Sequence, residues 1–390
     1  MNISTPAKQR FIEDAFAKKF GDRKDKIVVR SPGRINLIGE HTDYNEGFVL
    51  PGAIDKGVWF AIAPRDDNEF HFFAGDMQDE FACSLSSLQK SEKGWPNYLM
   101  GVIEQIVRRG RELRGCDVVF GGDIPIGAGL SSSAAVEAGF AFALNTIFSL
   151  GFDKLELVKI SQKAENEFVG VQCGIMDQFI NIFGQEKKVL RLDCRMLEYE
   201  YFPFERDDLC FVLCDTGVRR KLASSEYNVR RSQCEAGVAA LREHDASLKS
   251  LRDVKLEFLE EHKNELDPIV YKRCAYVVRE NARVGSTCEA LLSGDLHSFG
   301  ELMYQSHAGL RDEYEVSCSE LDVLVDIASH VSGVLGARMV GAGFGGCTLN
   351  LVEKEHREEF TQTVRREYKR ATGNDAMTYV VQIQAGTGLV

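Results

Sequence analysis

A chain of 390 residues, 44% of them hydrophobic, carries ample material for a buried core and is long enough for two domains. Its formal charge of −12 argues against non-specific binding to nucleic acid or to an anionic membrane surface. The 11 cysteines are scattered without a CxxC pair, residues 1–10 are polar and no apolar run approaches a membrane span. Reduced thiols, no zinc site and a soluble cytoplasmic protein are therefore expected.

In chain order, residues 7–20 predict an amphipathic helix, with Phe11, Ala15 and Phe16 on one side and Gly21 as its stop. Residues 27–29 and 58–63 predict strands. Between them stands Pro32-Gly33-Arg34-Ile35-Asn36-Leu37-Ile38-Gly39-Glu40-His41-Thr42-Asp43-Tyr44-Asn45, followed by Gly47. An arginine and then Glu, His and Asp crowd a Gly-interrupted turn instead of recurring along a solvated face. That suits a grip on a small polar molecule.

Residues 117–120 predict a strand that runs into Gly121. Pro125-Ile126-Gly127-Ala128-Gly129-Leu130-Ser131-Ser132-Ser133-Ala134-Ala135 then opens a helix predicted over 131–148, where Val136, Phe140 and Leu144 recur at four-residue spacing. Glycines let a backbone approach an anion, and a helix N-terminus adds about half a positive charge. Serine hydroxyls add donors, and one can ligate Mg²⁺. No GxxxxGK[ST] run occurs, so this is not a Walker A loop. A serine cap after a glycine turn is the plain alternative.

A helix is predicted over 155–168, breaking at Gly170. Taken alone, Glu165 reads as a solvated residue of that helix. Asp177 follows Gly174 among Ile175, Met176 and Phe179. It is either a helix cap or a carboxylate made reactive by desolvation or paired with a cation. Strands are predicted over 189–192, 209–214, 347–352 and 379–383, and helices over 225–242, 268–292, 296–307, 320–331 and 354–371. This mixture lacks strict βαβ alternation and predicts α+β layers. The Pro203 turn places a domain boundary near residue 205.

Gly341-Ala342-Gly343-Phe344-Gly345-Gly346 formally matches GxGxxG. A strand follows it where a dinucleotide fingerprint must open a helix. A tight turn approaching a ligand, or a purely structural glycine turn, are the two readings left.

The run 33–51 resembles the N-terminal signature of galactokinases almost letter for letter. The Gly-Ser loop resembles the phosphate loop of the wider GHMP kinases, and the 341–346 cluster resembles their third motif, which stabilises that loop. Glu165-Asn166-Glu167-Phe168-Val169-Gly170 and Gly174-Ile175-Met176-Asp177-Gln178 resemble the galactokinase segment that carries a Mg²⁺ ligand and a catalytic aspartate. Segments 225–231, 265–270 and 301–307 resemble the same family in order.

The resemblance implies a two-domain GHMP kinase fold. Residues 1–205 would form a domain like ribosomal protein S5 domain 2, and 206–390 a ferredoxin-like domain, with the active site in the cleft between them. It implies Mg²⁺-dependent transfer from ATP to the anomeric hydroxyl of α-D-galactose by a monomer with no nucleic-acid or membrane partner. Asp177 would be the base and Arg34 the catalytic arginine. Glu40, His41, Thr42, Asp43, Gly174, Asp177 and Tyr227 would hold the sugar. Gly127, Ala128, Gly129, Leu130, Ser131, Ser132 and Ser133 would wrap the ATP phosphates, with Trp95 and Tyr98 near adenine. Ser133 and Glu165 would bind Mg²⁺. Two alternatives remain. One is the same chemistry on N-acetylgalactosamine or another sugar, for which Ala342 leaves room while Phe344 and the intact 33–51 run favour galactose. The other is a non-catalytic galactose sensor, against which stand Arg34, Ser133, Ala134, Glu165 and Asp177, all present.

Overall fold

A computed structural model describes residues 5–125, 127–219 and 223–390, with only the backbone of residues 5, 6 and 223–225. Ile126 of the Gly-Ser loop and the side chain of Ser225 lie outside the described residues. The first half runs α1 (Thr5–Phe20), β1 (Ile27–Asn36), β2 (Phe48–Val49), β3 (Pro51–Pro64), β4 (Glu69–Ala74), β5 (Asp79–Ser84), α2 (Pro96–Arg108), β6 (Cys116–Gly122), α3 (Ser132–Ile147), α4 (Lys154–Lys163), α5 (Met176–Phe183), β7 (Lys188–Asp193) and β8 (Tyr199–Pro203). The second half runs β9 (Leu209–Asp215), α6 (Ala223–Leu241), α7 (Leu256–Glu261), α8 (Pro268–Ser293), α9 (Leu296–Asp312), α10 (Ser319–Ser329), β10 (Val334–Met339), β11 (Cys347–Glu353), α11 (Arg357–Thr372), β12 (Met377–Val381) and β13 (Gly388–Leu389).

Among the described residues three sheets result, ordered β13-β1-β3-β6-β4-β5, β10-β11-β9-β12 and β2-β7-β8. Every pairing is antiparallel except β4 with β6. Strand β3 explains the layering of the first sheet. Its side chains alternate between faces. Val58, Phe60 and Ile62 enter the main core, which also holds Phe140 and Leu144 of α3. Trp59, Ala61 and Ala63 face the other way, against Ile12 and Phe16 of α1. With both faces covered, the strand reads as an almost unbroken apolar run.

The main core does not stop at the chain's midpoint. Phe211, Leu213, Leu349 and Leu351 of the second sheet join Val29 and Ile35 of the first in one cluster. The second sheet's other face packs on α10 and α11, where Val212, Ala337 and Val352 meet Leu324, Phe360 and Tyr368. We propose a division near residue 205, but the chain recrosses it at the end. Asp55 donates its backbone N–H to Gln382 and Gln384 donates to Ala53. β13 then pairs with β1, setting Leu389 opposite Val29 and Gly388 opposite Arg30. Ser31, Asn181 and Thr387 join through their side chains behind that edge.

The charged run does not begin in a turn. Residues 32–36 belong to β1, where the register with β3 shifts between Pro32 and Arg34. Such a bulge re-aims a side chain from within a strand. Only after Asn36 does the chain leave the sheet.

Deleting residues 382–390 uncovers the β1 edge and removes the buried Ile383, whose burial alone is worth roughly 1.5–3 kcal/mol. We expect faster amide exchange across Val28–Arg34 and a lower melting temperature. Unchanged exchange in β1 would show that the tail does not hold this strand.

Candidate active site

A cavity of about 280 Å³ lies where several elements converge. Its lining includes Arg34 from β1, Glu40, His41 and Asp43 from the following loop, Tyr98 from α2, Glu165 after α4, Asp177 from α5, Tyr227 from α6, and Gly341 and Ala342 after β10. A larger hollow of about 890 Å³ lies between α1 and α11 and contains none of these groups.

Asp177 is the second residue of α5, not its cap. Its carboxylate accepts from Arg34 Nε at 2.8 Å and Nη2 at 3.0 Å, a two-pronged pair, and from the Ser131 hydroxyl. Arg34 Nη1 also donates to the Gly129 carbonyl. Burial disfavours charge on Arg34, but Asp177 and Glu40 outweigh it and hold the guanidinium above its ordinary value. One side chain thus ties β1, α5 and the Gly-Ser loop together. Ser131, expected at the phosphates, turns its hydroxyl to Asp177 instead, from a left-handed backbone with φ of 58°.

Glu40 is anchored from the second half of the chain. Oε1 accepts from the Gly341 amide at 2.8 Å and lies 3.0 Å from Arg338, which is fully buried in β10. Nearby Gly39 donates its amide to Glu280 of α8 at 2.9 Å. His41 Nδ1 sits 2.8 Å from the Tyr44 hydroxyl, while Nε2 has no partner. Burial lowers the His41 pKa to about 3, so the ring is neutral. Asp43 lies deep as well, and burial, followed by the Asp177 charge, pushes it up to about 7. Gly174 packs so tightly on Asp43 that a Cβ there would stand 1.9 Å from Oδ2. Thr42 departs from expectation. Its hydroxyl donates to the Gly39 and Phe48 carbonyls, 2.7 and 2.6 Å away, and faces away from the cavity.

Glu165 is buried, not solvated. It lies in a π-helical turn, Ala164–Val169, that continues α4, an irregularity common at functional sites. Its spacing from Val158 and Ser161 puts it on the inner face. Gln178 Nε2 donates to Glu165 at 2.8 Å and reaches Glu137 of α3 at 3.3 Å. The Ser133 side chain stands close enough to Glu165 to favour its charged form. Burial drives both glutamates' pKa values upward. Glu137 escaped the sequence reading, although a glutamate on an otherwise apolar helix was a visible signal. Ser133 and Glu165 are the pair that could hold a hard cation.

The Gly-Ser loop and the 341–346 turn touch backbone to backbone. A Cβ on Gly129 would lie 2.8 Å from the Val340 carbonyl, and one on Gly341 would lie 2.7 Å from the Gly129 carbonyl. Ala128 and Leu130 bury their side chains in the core, which leaves the loop's backbone to face a ligand. Arg219, also missed from sequence, lies over Gly127 and forms a two-pronged pair with Asp215. The two expected adenine aromatics separate. Tyr98 lines the carboxylate cavity, whereas Trp95 packs on Phe81 and Phe120 and donates to Asp79.

Comparison with known proteins matches three family models. They are the galactokinase galactose-binding signature over residues 14–64, the GHMP kinase N-terminal domain over 97–185 and the GHMP kinase C-terminal domain over 288–370. A galactokinase of Roseiflexus sp. is 44% identical over 364 residues, covering 93% of each chain. The chain belongs to the galactokinase family. A second family member, from Chloroflexus aggregans, is 41% identical, covering 96% of each chain. The crystal structure of Lactococcus lactis galactokinase complexed with galactose superposes with a TM-score of 0.94 at 37% identity, covering 98% of this chain and 99% of that one. A Methanococcus jannaschii mevalonate kinase, 19% identical with a TM-score of 0.66, shares the GHMP kinase fold. This galactokinase-family chain is thus a two-domain α+β kinase, as its motifs implied.

Arg338→Met removes the cation that lies 3.0 Å from the buried Glu40 carboxyl. We expect a loss of about 3–5 kcal/mol in urea unfolding. Wild-type stability would show that the Gly341 amide suffices to hold Glu40.

Proposed function

We propose that this kinase divides the transfer of the ATP γ-phosphoryl group to α-D-galactose among three groups of residues. The products are ADP and α-D-galactose 1-phosphate. The observation that carries the reading is the Arg34–Asp177–Ser131 cluster, which links the sugar run to the Gly-Ser loop. The 41–44% identity to galactokinases favours galactose over N-acetylgalactosamine and over a sensor.

Glu40, His41, Asp43 and Tyr227 grip the sugar, with Gly174 leaving space beside Asp43. Buried polar groups of this kind select strongly among epimers, because a missing hydroxyl strands them. Thr42 shapes the loop through its two carbonyl bonds. The backbone of Gly127–Ser133 holds the ATP phosphates, helped by Ser132 and by the charge of Arg219, while Tyr98 stands toward the nucleotide. Ser133 and Glu165 offer the hard oxygens that suit Mg²⁺, which when bound neutralises phosphate charge.

Asp177 orients the anomeric hydroxyl and receives its proton as the new P–O bond forms. Arg34 balances the negative charge at that oxygen. Phosphoryl transfer asks mostly for position and charge stabilisation. Three donors already occupy Asp177, which suits a role in orientation and electrostatics with the proton arriving late. We assign the enzyme to the cytoplasm as a monomer without nucleic-acid or membrane partners. All eleven cysteines are free thiols, and no helix among the described residues is long and apolar enough to cross a membrane.

The direct test is ATP-dependent phosphorylation of galactose, glucose and N-acetylgalactosamine, with the phosphate position read by NMR. Galactose 1-phosphate is the expected product; preference for another sugar would overturn the substrate. Asp177→Asn should lower kcat by about 100-fold or more while sugar still binds. A near-wild-type kcat would remove Asp177 from the chemistry.

Asp43 gives a pH signature. Its folded pKa of about 7 lies above the unfolded one, so its ionised form is strained above that value and relieved as pH falls. Sugar binding that uses the ionised carboxylate weakens as the proton returns. We expect the apparent galactose Kd to rise about tenfold from pH 8 to pH 6, and the dependence to vanish in Asp43→Asn. A flat wild-type profile would contradict the ionised role.

A further inference from the structure

Behind the sugar loop runs a chain of buried hydrogen bonds that no step above uses. His41 Nδ1 meets the Tyr44 hydroxyl at 2.8 Å, Tyr44 meets the Tyr314 hydroxyl at 2.7 Å, and Tyr314 meets the Cys234 thiol at 3.3 Å. It crosses from the loop after β1, through the segment after α9, to α6. His41 is 4% exposed, lines the cavity and leaves Nε2 without a partner.

Proton counting restricts this chain. A neutral histidine, two phenols and a thiol bring one mobile proton each, and the three links consume three. Every phenol proton must be used, since an idle buried donor is costly. Two orderings satisfy this. In one, the protons point inward from Cys234 to Nδ1, and the histidine keeps its own proton on Nε2. In the other, Nδ1 donates outward, Nε2 carries only a lone pair, and the thiol proton is idle.

Acceptor strength selects the inward ordering. An imidazole nitrogen accepts a phenol's proton far better than a thiol sulfur does.

We propose that Tyr44, Tyr314 and Cys234 are positioning residues that lock His41 in the Nε2–H tautomer, so that it presents a hydrogen-bond donor to the sugar. The partner of a histidine's far nitrogen commonly fixes its tautomer. The sugar oxygen that meets His41 must then accept. This rests on the galactose reading, but its first test does not.

That test is a long-range ¹H–¹⁵N spectrum of the ligand-free full chain with labelled histidine, assigned with His41→Gln. A single Nε2–H form is expected; an Nδ1–H form overturns the proposal, whatever sugar the enzyme prefers. In Tyr44→Phe we expect a mixture of tautomers and a galactose KM raised about tenfold, with kcat within twofold. An unmixed tautomer in that variant, with its melting curve intact, also overturns it. A panel of monodeoxy and monodeoxyfluoro galactoses supplies the last arm, because fluorine accepts but cannot donate. At the carbon served by His41, the fluoro sugar should bind and the deoxy sugar should not. Equal loss of both at every position would exclude a donor at Nε2. If no galactose analogue binds while the tautomer is Nε2–H, the substrate reading fails and the relay stands.

Discussion

Arg34 is the constraint around which the site is arranged. It leaves a strand whose register has just shifted, and its three nitrogens reach α5 and the Gly-Ser loop. A guanidinium is planar and forked, so it fixes the direction as well as the distance of the carboxylate it holds. The Gly-Ser loop, Asp177 and β1 therefore keep one mutual geometry before any ligand arrives. Preorganisation of this kind is what phosphoryl transfer asks of a protein.

A second constraint comes from the other half of the chain. Glu40 is held by Arg338 and Gly341, Gly39 by Glu280, and the Tyr276 hydroxyl donates to the Glu40 carbonyl. Glu280 would lose its charge through burial alone. Arg283 and Arg338 oppose this and hold its pKa below the usual value. The loop that carries Glu40 and His41 is thus buttressed by α8 and β10, far along the sequence. Buried ion pairs contribute little net stability, but they specify which arrangement is allowed.

Much of this was legible in sequence, in uneven ways. Strands β1, β3, β6 and β7 and most helices followed from apolar period, whereas β4 did not, although it sends Phe70 and Phe72 into the main core. Other features were not legible. Strand β5 is half-exposed and carries Asp79 and Glu80, so it lacks the alternation of a buried strand. Helix α2 did carry a signal, Pro96 before Leu99, Val102, Ile103 and Ile106, that the reading passed over. Thr42 sits inside the motif, yet the left-handed His41 before it, with φ of 62°, precedes a side chain turned into the loop. Glu137 and Gln178 matter only through their contact with Glu165, which one-dimensional spacing does not reveal.

The return of β13 to β1 bears on how the protein is made. Residue 29 must wait for residue 389 before its strand has both neighbours. Until then the strand carrying Arg34 offers an open edge to any other extended chain. Closing so distant a contact is slow, because the loop entropy is lost before the pairing repays it. The arginine that ties β1, α5 and the Gly-Ser loop together thus lies on a strand whose edge is sealed late in synthesis. A nascent chain would hold most of its core while its site is still unfinished, and it would be most exposed to misassembly at that edge.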